Sequence, residues 1–313
     1  MFNKVSVLIP AYNEQESLTD LYNKVIDSLK SLGGSINNYE VWFVNDGSTD
    51  DTERVINELI NRDENIHLIS FRKNFGKSPA LDAGFHHVTG DVIFTMDADL
   101  QDDPKEFGRF LEKIEEGYDL VIGWKFNRLD PMEKKLPSKI FNKVTSMASG
   151  ISLHDFDCGF KCFRKEVVES IDLYGELHRY IPVLAYQKGF RITEITVQHH
   201  KREHGKSKYG MERYMRGLLD FMTTTFLLKY KDRPMYFFGR VGLFFMFIGV
   251  LMCSYLTALW VIGEKIGGRP LLILGVLCII VGIQMISTGF IGNIVIDILH
   301  RDHYKENHIK TII

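Results

Sequence analysis

The chain has 313 residues, a formal net charge of -2 at pH 7 and 45% hydrophobic residues, enough for one or two domains with a substantial core. That near-neutral balance lacks the basic excess of a nucleic-acid-binding protein, and no nucleic-acid partner is expected. The four cysteines, Cys158, Cys162, Cys253 and Cys278, have no His or Cys cluster beside them, which fits reduced thiols better than disulfides or a zinc site.

In chain order, Val5 to Pro10 reads as a first strand, and Pro10-Ala11-Tyr12-Asn13-Glu14 leaves its carboxyl end. Glu16 to Leu32 has helical periodicity and stops near Gly33-Gly34. Glu40 to Val44 is a second strand, followed by Asn45-Asp46-Gly47-Ser48-Thr49-Asp50, where Ser48, Thr49 or Asp50 can cap a helix running to about Arg62. Asp46 thus stands at a strand end, where a carboxylate either accepts hydrogen bonds from a ribose hydroxyl or base edge or caps the helix. His67 to Phe71 is a third strand, leading through Arg72-Lys73-Asn74-Phe75-Gly76-Lys77 into a helix from about Ser78 to His87.

Val92 to Met96 is a short apolar run that reads as a buried parallel strand, and it ends in Asp97 and Asp99, with Asp102 and Asp103 just beyond. Four successive β-then-α units predict a mostly parallel α/β sheet with helices on both faces. Carboxylates two apart at a strand's carboxyl end can hold a hard divalent cation, Mg2+ or Mn2+, and through it a diphosphate; an acidic turn and helix cap is the plainer alternative. The glycines form neither Gly-x-Gly-x-x-Gly nor a Walker pattern, which favours a metal as the means of holding a diphosphate. A helix from Pro104 to about Glu116 and a strand from Asp119 to Gly123 follow. Trp124-Lys125-Phe126-Asn127-Arg128 then opens a charged loop, readable as a mobile lid or as ordinary solvated surface.

Apolar residues concentrate near the C-terminus. Val241 to Ile262 carries no charge, and its 22 positions span roughly 33 Å at about 1.5 Å per residue, enough to cross a bilayer core. Leu271 to Ile296 is a second such run. Lys229, Lys231, Arg233 and Arg240 precede the first run, and Arg301, Lys305 and Lys310 follow the second; the linking loop has only Lys265 and Arg269. That bias predicts that both termini and the soluble part lie on the cytoplasmic side of the membrane, and the short apolar N-terminal run is not expected to act as a signal peptide. Met211 to about Tyr230, with Met211, Met215, Leu218, Met222 and Phe226 on one side, suits an amphipathic helix at the membrane surface. The expected organisation is a cytoplasmic α/β domain over 1–209, an interface helix over 210–234, two membrane helices over 235–300 and a cytoplasmic tail over 301–313. The spans offer Gly242, Gly249, Gly282 and Gly289 for packing in a homo-oligomer.

Pro10-Ala11-Tyr12-Asn13-Glu14, Asp46-Gly47-Ser48, Asn74-Phe75-Gly76-Lys77 and Asp97-Ala98-Asp99-Leu100-Gln101, in that order, resemble family 2 glycosyltransferases of the GT-A fold. The resemblance implies that Pro10, Tyr12, Glu14 and Asp46 line a nucleoside pocket and that Lys77, Ala98, Gln101 and Lys125 join the donor site. Asp97 and Asp99 would form the metal-binding pair, with Asp99 the stronger candidate for direct coordination. His154-Asp155-Phe156-Asp157-Cys158-Gly159-Phe160-Lys161 and His178-Arg179-Tyr180-Ile181-Pro182 resemble the acceptor half of the polyprenyl-phosphate branch, the relatives of dolichyl-phosphate mannose synthase and bactoprenol glucosyltransferases. Asp155 matches that branch's acid, with Asp157 an extra acid close by. Arg202-Glu203-His204-Gly205-Lys206-Ser207-Lys208-Tyr209 resembles its Arg-x-x-Gly-x-Ser-Lys-Tyr stretch. Arg179, Arg202, Lys206 and Lys208 would therefore face the acceptor phosphate, where several negative charges must be offset together.

The activity so implied is inverting transfer of one sugar from a nucleotide-sugar, UDP-glucose favoured, to undecaprenyl phosphate, with N-acetylglucosamine, mannose and an aminoarabinose derivative left open as the sugar. A processive polysaccharide synthase is a rival, but its Gln-x-x-Arg-Trp segment is absent, since after Trp124 the only tryptophan is Trp260. A membrane protein that binds nucleotide-sugar without turning it over is the alternative from another class.

Overall fold

The computed structural model describes residues 2–126, 142–143, 145–147, 149–200, 222–223, 226, 230 and 233–303. Arg202, Lys206, Lys208, the loop from Asn127 to Phe141 and nearly all of the expected interface helix lie outside the described residues. The chain divides into two compact units, with the boundary between Met222 and Thr223.

The first unit is built on a seven-stranded sheet in the order β3-β2-β1-β4-β6-β5-β7. Its strands are β1 (Phe2–Ala11), β2 (Ile36–Asn45), β3 (Ile66–Ser70), β4 (Val92–Thr95), β5 (Leu120–Trp124), β6 (Lys161–Arg164) and β7 (Ile192–Thr196). Helices α1 (Leu18–Ser31), α2 (Thr52–Ile60), α3 (Lys77–Phe85), α4 (Phe107–Glu115), α5 (Lys165–Ser170) and α6 (Ile181–Gln187) connect them. β1, β2, β3 and β4 pair in parallel, as the alternation of strand and helix predicts. The chain winds outward from β1 to β3, then returns to place β4 on the other side of β1. The reversal leaves a crevice between the carboxyl ends of β1 and β4, where doubly wound sheets bind ligands.

The sheet is mostly parallel, as expected, with one strand reversed. β6 runs antiparallel between β4 and β5, with Thr95 opposite Lys161 on one side and Ile122 opposite Lys161 on the other. Sequence periodicity did not reveal β6, a four-residue strand too short to show a period. Its direction matters, because the segment entering β6 arrives at the edge where β4 ends. Beneath that edge Phe94, Phe107, Phe110 and Phe160 pack with ring centroids 4.3 to 6.4 Å apart, fixing α4 to the sheet.

The second unit contains α7 (Met235–Val261) and α8 (Pro270–His303). Met235–Val261 and Pro270–Ile298 are long and apolar enough to cross a membrane, with mean hydropathies of 2.1 and 2.5. Most of their large apolar side chains are exposed, as lipid-facing surfaces require. The four span glycines lie at close contacts inside this hairpin. A Cβ at Gly242 would stand 2.7 Å from the Gly282 carbonyl, one at Gly249 would stand 2.6 Å from the Gly275 carbonyl, and Gly289 lies against Met235 and Phe238. All four cysteines are free thiols.

Candidate active site

The loops leaving β1 and β2 are stitched together at the crevice. Asn13, with φ of 54°, donates its backbone N–H to Ser48 Oγ at 2.9 Å and accepts from the Thr49 N–H at 2.8 Å, while the Glu14 N–H donates to Thr52 Oγ1 at 2.9 Å. Ser48 and Thr49 thus tie the two loops instead of capping α2; of the three expected caps, only Asp50 turns to that helix, accepting from the Thr52 N–H at 3.0 Å. Pro10, Tyr12 and Glu14 lie half-buried along this rim.

Asp46 has a role that neither expected alternative contains. It is 5% exposed, and its two carboxylate oxygens accept from the backbone N–H groups of Phe75 at 2.7 Å and Gly76 at 2.9 Å. Burial nevertheless leaves its carboxyl above the ordinary value. The carboxylate therefore shapes the turn that launches α3, which begins at Lys77 after Gly76 adopts φ of 99°.

At the end of β4, Asp97, Asp99 and Asp102 meet two of the lysines named from sequence. Lys77 pairs with Asp97, and Lys125 pairs with Asp102 at 2.8 Å. Burial disfavours the charge on Asp97, but Lys77, Lys125 and Lys161 outweigh it and hold the carboxyl well below its usual value. Asp99 goes the other way: burial, then the charges of Asp97 and Asp102, push it up to about 6. Burial likewise pushes the nearby Cys158 thiol up to about 12, so it stays protonated at neutral pH. Ala98 is buried and Gln101 half-buried. Between Asp99 and Gln101, Leu100 takes φ of 61°, a left-handed conformation costly for a leucine and common where a site holds its backbone in one shape.

The segment entering β6 closes the site from the other side. A Cβ on Gly159 would lie 2.5 Å from Asp97 Oδ2, so only glycine leaves the carboxylate where it is. Thr95 Oγ1 donates to the Gly159 carbonyl at 2.9 Å, and the Lys161 ammonium donates to the Cys158 carbonyl. Lys161 is a site residue that the sequence motifs contain but do not single out; its signal is a charged residue entering a four-residue strand whose middle pair, Cys162 and Phe163, is buried and apolar. Asp155 is buried at 1% exposure, whereas Asp157 is half-buried and faces Arg179 at 3.9 Å, a guanidinium that Glu176 also meets at 3.2 Å. His178 was likewise not chosen: its Nδ1 lies 2.9 Å from Ser78 Oγ, and burial, then the charge of Lys77, push its pKa down to about 3, so the ring is neutral.

Asp97, Asp99, Asp102, Lys77 and Lys125 therefore come together, with Arg179 linked to them through Asp157, while Pro10, Tyr12, Glu14 and Asp46 frame the adjoining rim. Among the described residues no group of three or more His, Cys, Asp or Glu is assembled to hold a metal. The residues present still fit a divalent ion shared with a ligand, since Mg2+ and its like take one or two carboxylates and complete their shell with water and substrate phosphates. Burial first, and then the charges of Asp97 and Asp102, raise the Asp99 carboxyl, and a cation beside it would favour its ionised form.

A mostly parallel α/β sheet with a carboxylate pair and lysines at its switch point is the architecture of a GT-A-type fold. The sequence profile "Glycosyl transferase family 2" matches residues 6–172, and this chain belongs to that family. A dodecaprenyl-phosphate galacturonate synthase from Rhizobium johnstonii is 35% identical over 312 residues, covering 98% of this chain and 91% of the relative. An undecaprenyl-phosphate 4-deoxy-4-formamido-L-arabinose transferase from Yersinia pestis is 36% identical over 308 residues, 96% of this chain and 92% of the relative. Among solved structures, glucosyl-3-phosphoglycerate synthase from Mycobacterium tuberculosis, in complex with Mn2+ and UDP-glucose, superposes with a TM-score of 0.54 at 18% identity. The match covers 71% of this chain and 79% of that one and shows the shared fold.

Proposed function

We propose that this chain transfers a single sugar from a nucleotide-sugar to a polyprenyl phosphate of the undecaprenyl type, at the cytoplasmic face of the inner membrane. The observation that carries the reading is the gathering of Asp97, Asp99, Lys77 and Lys125 at one sheet edge, in a chain whose relatives are named for this reaction over nine-tenths of their length. Both relatives are named for modified sugars, galacturonate and 4-deoxy-4-formamido-L-arabinose, and a donor of that class is assigned here ahead of UDP-glucose.

The acceptor's phosphate monoester is already ionised near pH 7, so its oxygen attacks the anomeric carbon, with inversion, without a strong general base. Asp97 and Asp99 would hold Mg2+ or Mn2+, which supplies positive charge to the diphosphate leaving group. Tyr12, Glu14 and Asp46 frame the nucleoside side, Asp46 by fixing the Phe75–Gly76 turn. Arg179, with Arg202, Lys206 and Lys208, is assigned to the acceptor phosphate. Buried Asp155 orients the acceptor or the sugar hydroxyls; an Asp155→Asn variant with full turnover would refute that role.

The test is product formation by the detergent-purified protein given undecaprenyl phosphate, Mg2+ or Mn2+ and, separately, UDP-galacturonate, the UDP-linked formamidoarabinose and UDP-glucose. A single sugar on the lipid, abolished by chelator and by Asp99→Ala, is the expected result. Binding of nucleotide-sugar without any lipid product would favour a non-catalytic binding protein.

A further inference from the structure

We propose, on the basis of the nucleotide-sugar reading above, that Lys77 is a resident cation for Asp97, so that a divalent metal enters with the nucleotide diphosphate and not ahead of it. Four carboxylates stand just beyond β4, and Asp103 turns away to the Lys105 N–H at 3.1 Å and the His200 ring at 3.4 Å. Asp97 is paired with Lys77 and Asp102 with Lys125, which leaves Asp99 as the one without an ion-pair partner among the described residues. Without a substrate phosphate to complete its shell, a hard divalent ion gains little from one carboxylate, so a metal arriving alone has to separate Lys77 from Asp97.

The two ion pairs differ in how readily they can be exchanged. Lys77 and Asp97 keep 30% and 34% of their side-chain surface exposed, open to an incoming ligand, whereas Lys125 and Asp102 keep 10% and 0%. Separation sets free an ammonium that needs another anion. Asp157 lies in its field but already faces Arg179 at 3.9 Å. Behind Asp97, Lys161 is buried with its ammonium on the Cys158 carbonyl. Metal alone would therefore add two positive charges to a region that keeps the positive charges of Lys77, Lys125 and Lys161. A diphosphate arriving with the metal gives the displaced ammonium its partner. Coupling of this kind is reciprocal, so nucleotide and metal raise each other's affinity by the same factor.

The test measures Mn2+ binding to the full-length protein in detergent from the spin-resonance signal of free Mn2+. It is run alone, with UDP and with inorganic pyrophosphate, and corrected for Mn2+ held by the anions in solution. Wild-type protein is expected to bind Mn2+ roughly tenfold or more tightly when UDP is present. Lys77→Met should bind Mn2+ alone more tightly than wild type and show a severalfold smaller UDP effect; Lys77→Gln should behave alike, and Lys77→Arg should keep the wild-type coupling. A wild-type affinity indifferent to UDP, or Met and Gln variants that unfold at the wild-type temperature with unchanged Mn2+ affinity and coupling, would overturn the proposal. Failure of both UDP and pyrophosphate to bind at any Mn2+ concentration is a different outcome, which overturns the nucleotide reading and this proposal with it.

Discussion

Gly159→Ala probes the geometry of the site without removing a charged group. Gly159 has no left-handed φ, so alanine meets no backbone penalty there. Its new methyl would lie 2.5 Å from Oδ2, 2.7 Å from Cγ and 2.8 Å from Oδ1 of Asp97, where ordinary contact begins at 3.4 Å. Relief requires a shift of 0.6 Å for Oδ1 and 0.9 Å for Oδ2, the differences between those distances. The backbone on the Gly159 side is tied down, its carbonyl by Thr95 Oγ1 and the preceding one by Lys161, so the carboxylate moves. A displacement near 1 Å in a positioned group costs about 100-fold in rate, and a loss of that order in kcat/KM is expected. Gly108→Ala is the control: it lies within α4, and its nearest neighbour would be Leu32 Cδ2 at 3.5 Å, so it should keep activity and gain about 0.5–1 kcal/mol from helix propensity. Initial rates of sugar transfer to undecaprenyl phosphate and thermal unfolding midpoints are measured for both. A Gly159→Ala enzyme within threefold of wild type, or one whose loss is matched by unfolding at the assay temperature, would refute the argument.

Glu40 predicts a pH dependence. It is buried, and although burial opposes its charge, hydrogen bonds from Lys4, Ser6 and the Thr89 N–H bring its pKa from 4.5 down to about 2. A depressed carboxyl gives stability that is full above its unfolded pKa, so about 3 kcal/mol should be lost between pH 4.5 and pH 2, and Glu40→Gln should flatten that part of the unfolding profile. In the apolar hairpin, Gly249→Leu should cost at least about 1–3 kcal/mol through collision with the Gly275 carbonyl; an unchanged unfolding midpoint in detergent would show that the helices do not approach so closely. Asp46→Ala should free the Phe75–Gly76 turn and raise the KM for donor more than it lowers kcat, and a pure kcat effect would count against that positioning role.

By itself the sequence determined the strand-and-helix order through β4, the two apolar helices and the carboxylate pair at a strand end. Each is a local or periodic signal: short apolar runs closed by turn residues, long uncharged stretches, and motifs of a few consecutive residues. It also named Lys77 and Lys125, but not what they do. Only the tertiary structure decided that these lysines lie on Asp97 and Asp102, because those pairs join residues 20 and 23 positions apart whose side chains meet at the sheet edge. The same holds for Asp46, whose partners are backbone groups 29 and 30 positions away and so cannot be read from a motif of side chains. The antiparallel entry of β6, which brings Gly159 and Lys161 to Asp97, has no periodic signature in four residues and follows from sheet pairing alone. The span glycines mark close packing in the sequence, but which helix they meet depends on the antiparallel fold of the hairpin, and there each one's neighbour is its own chain.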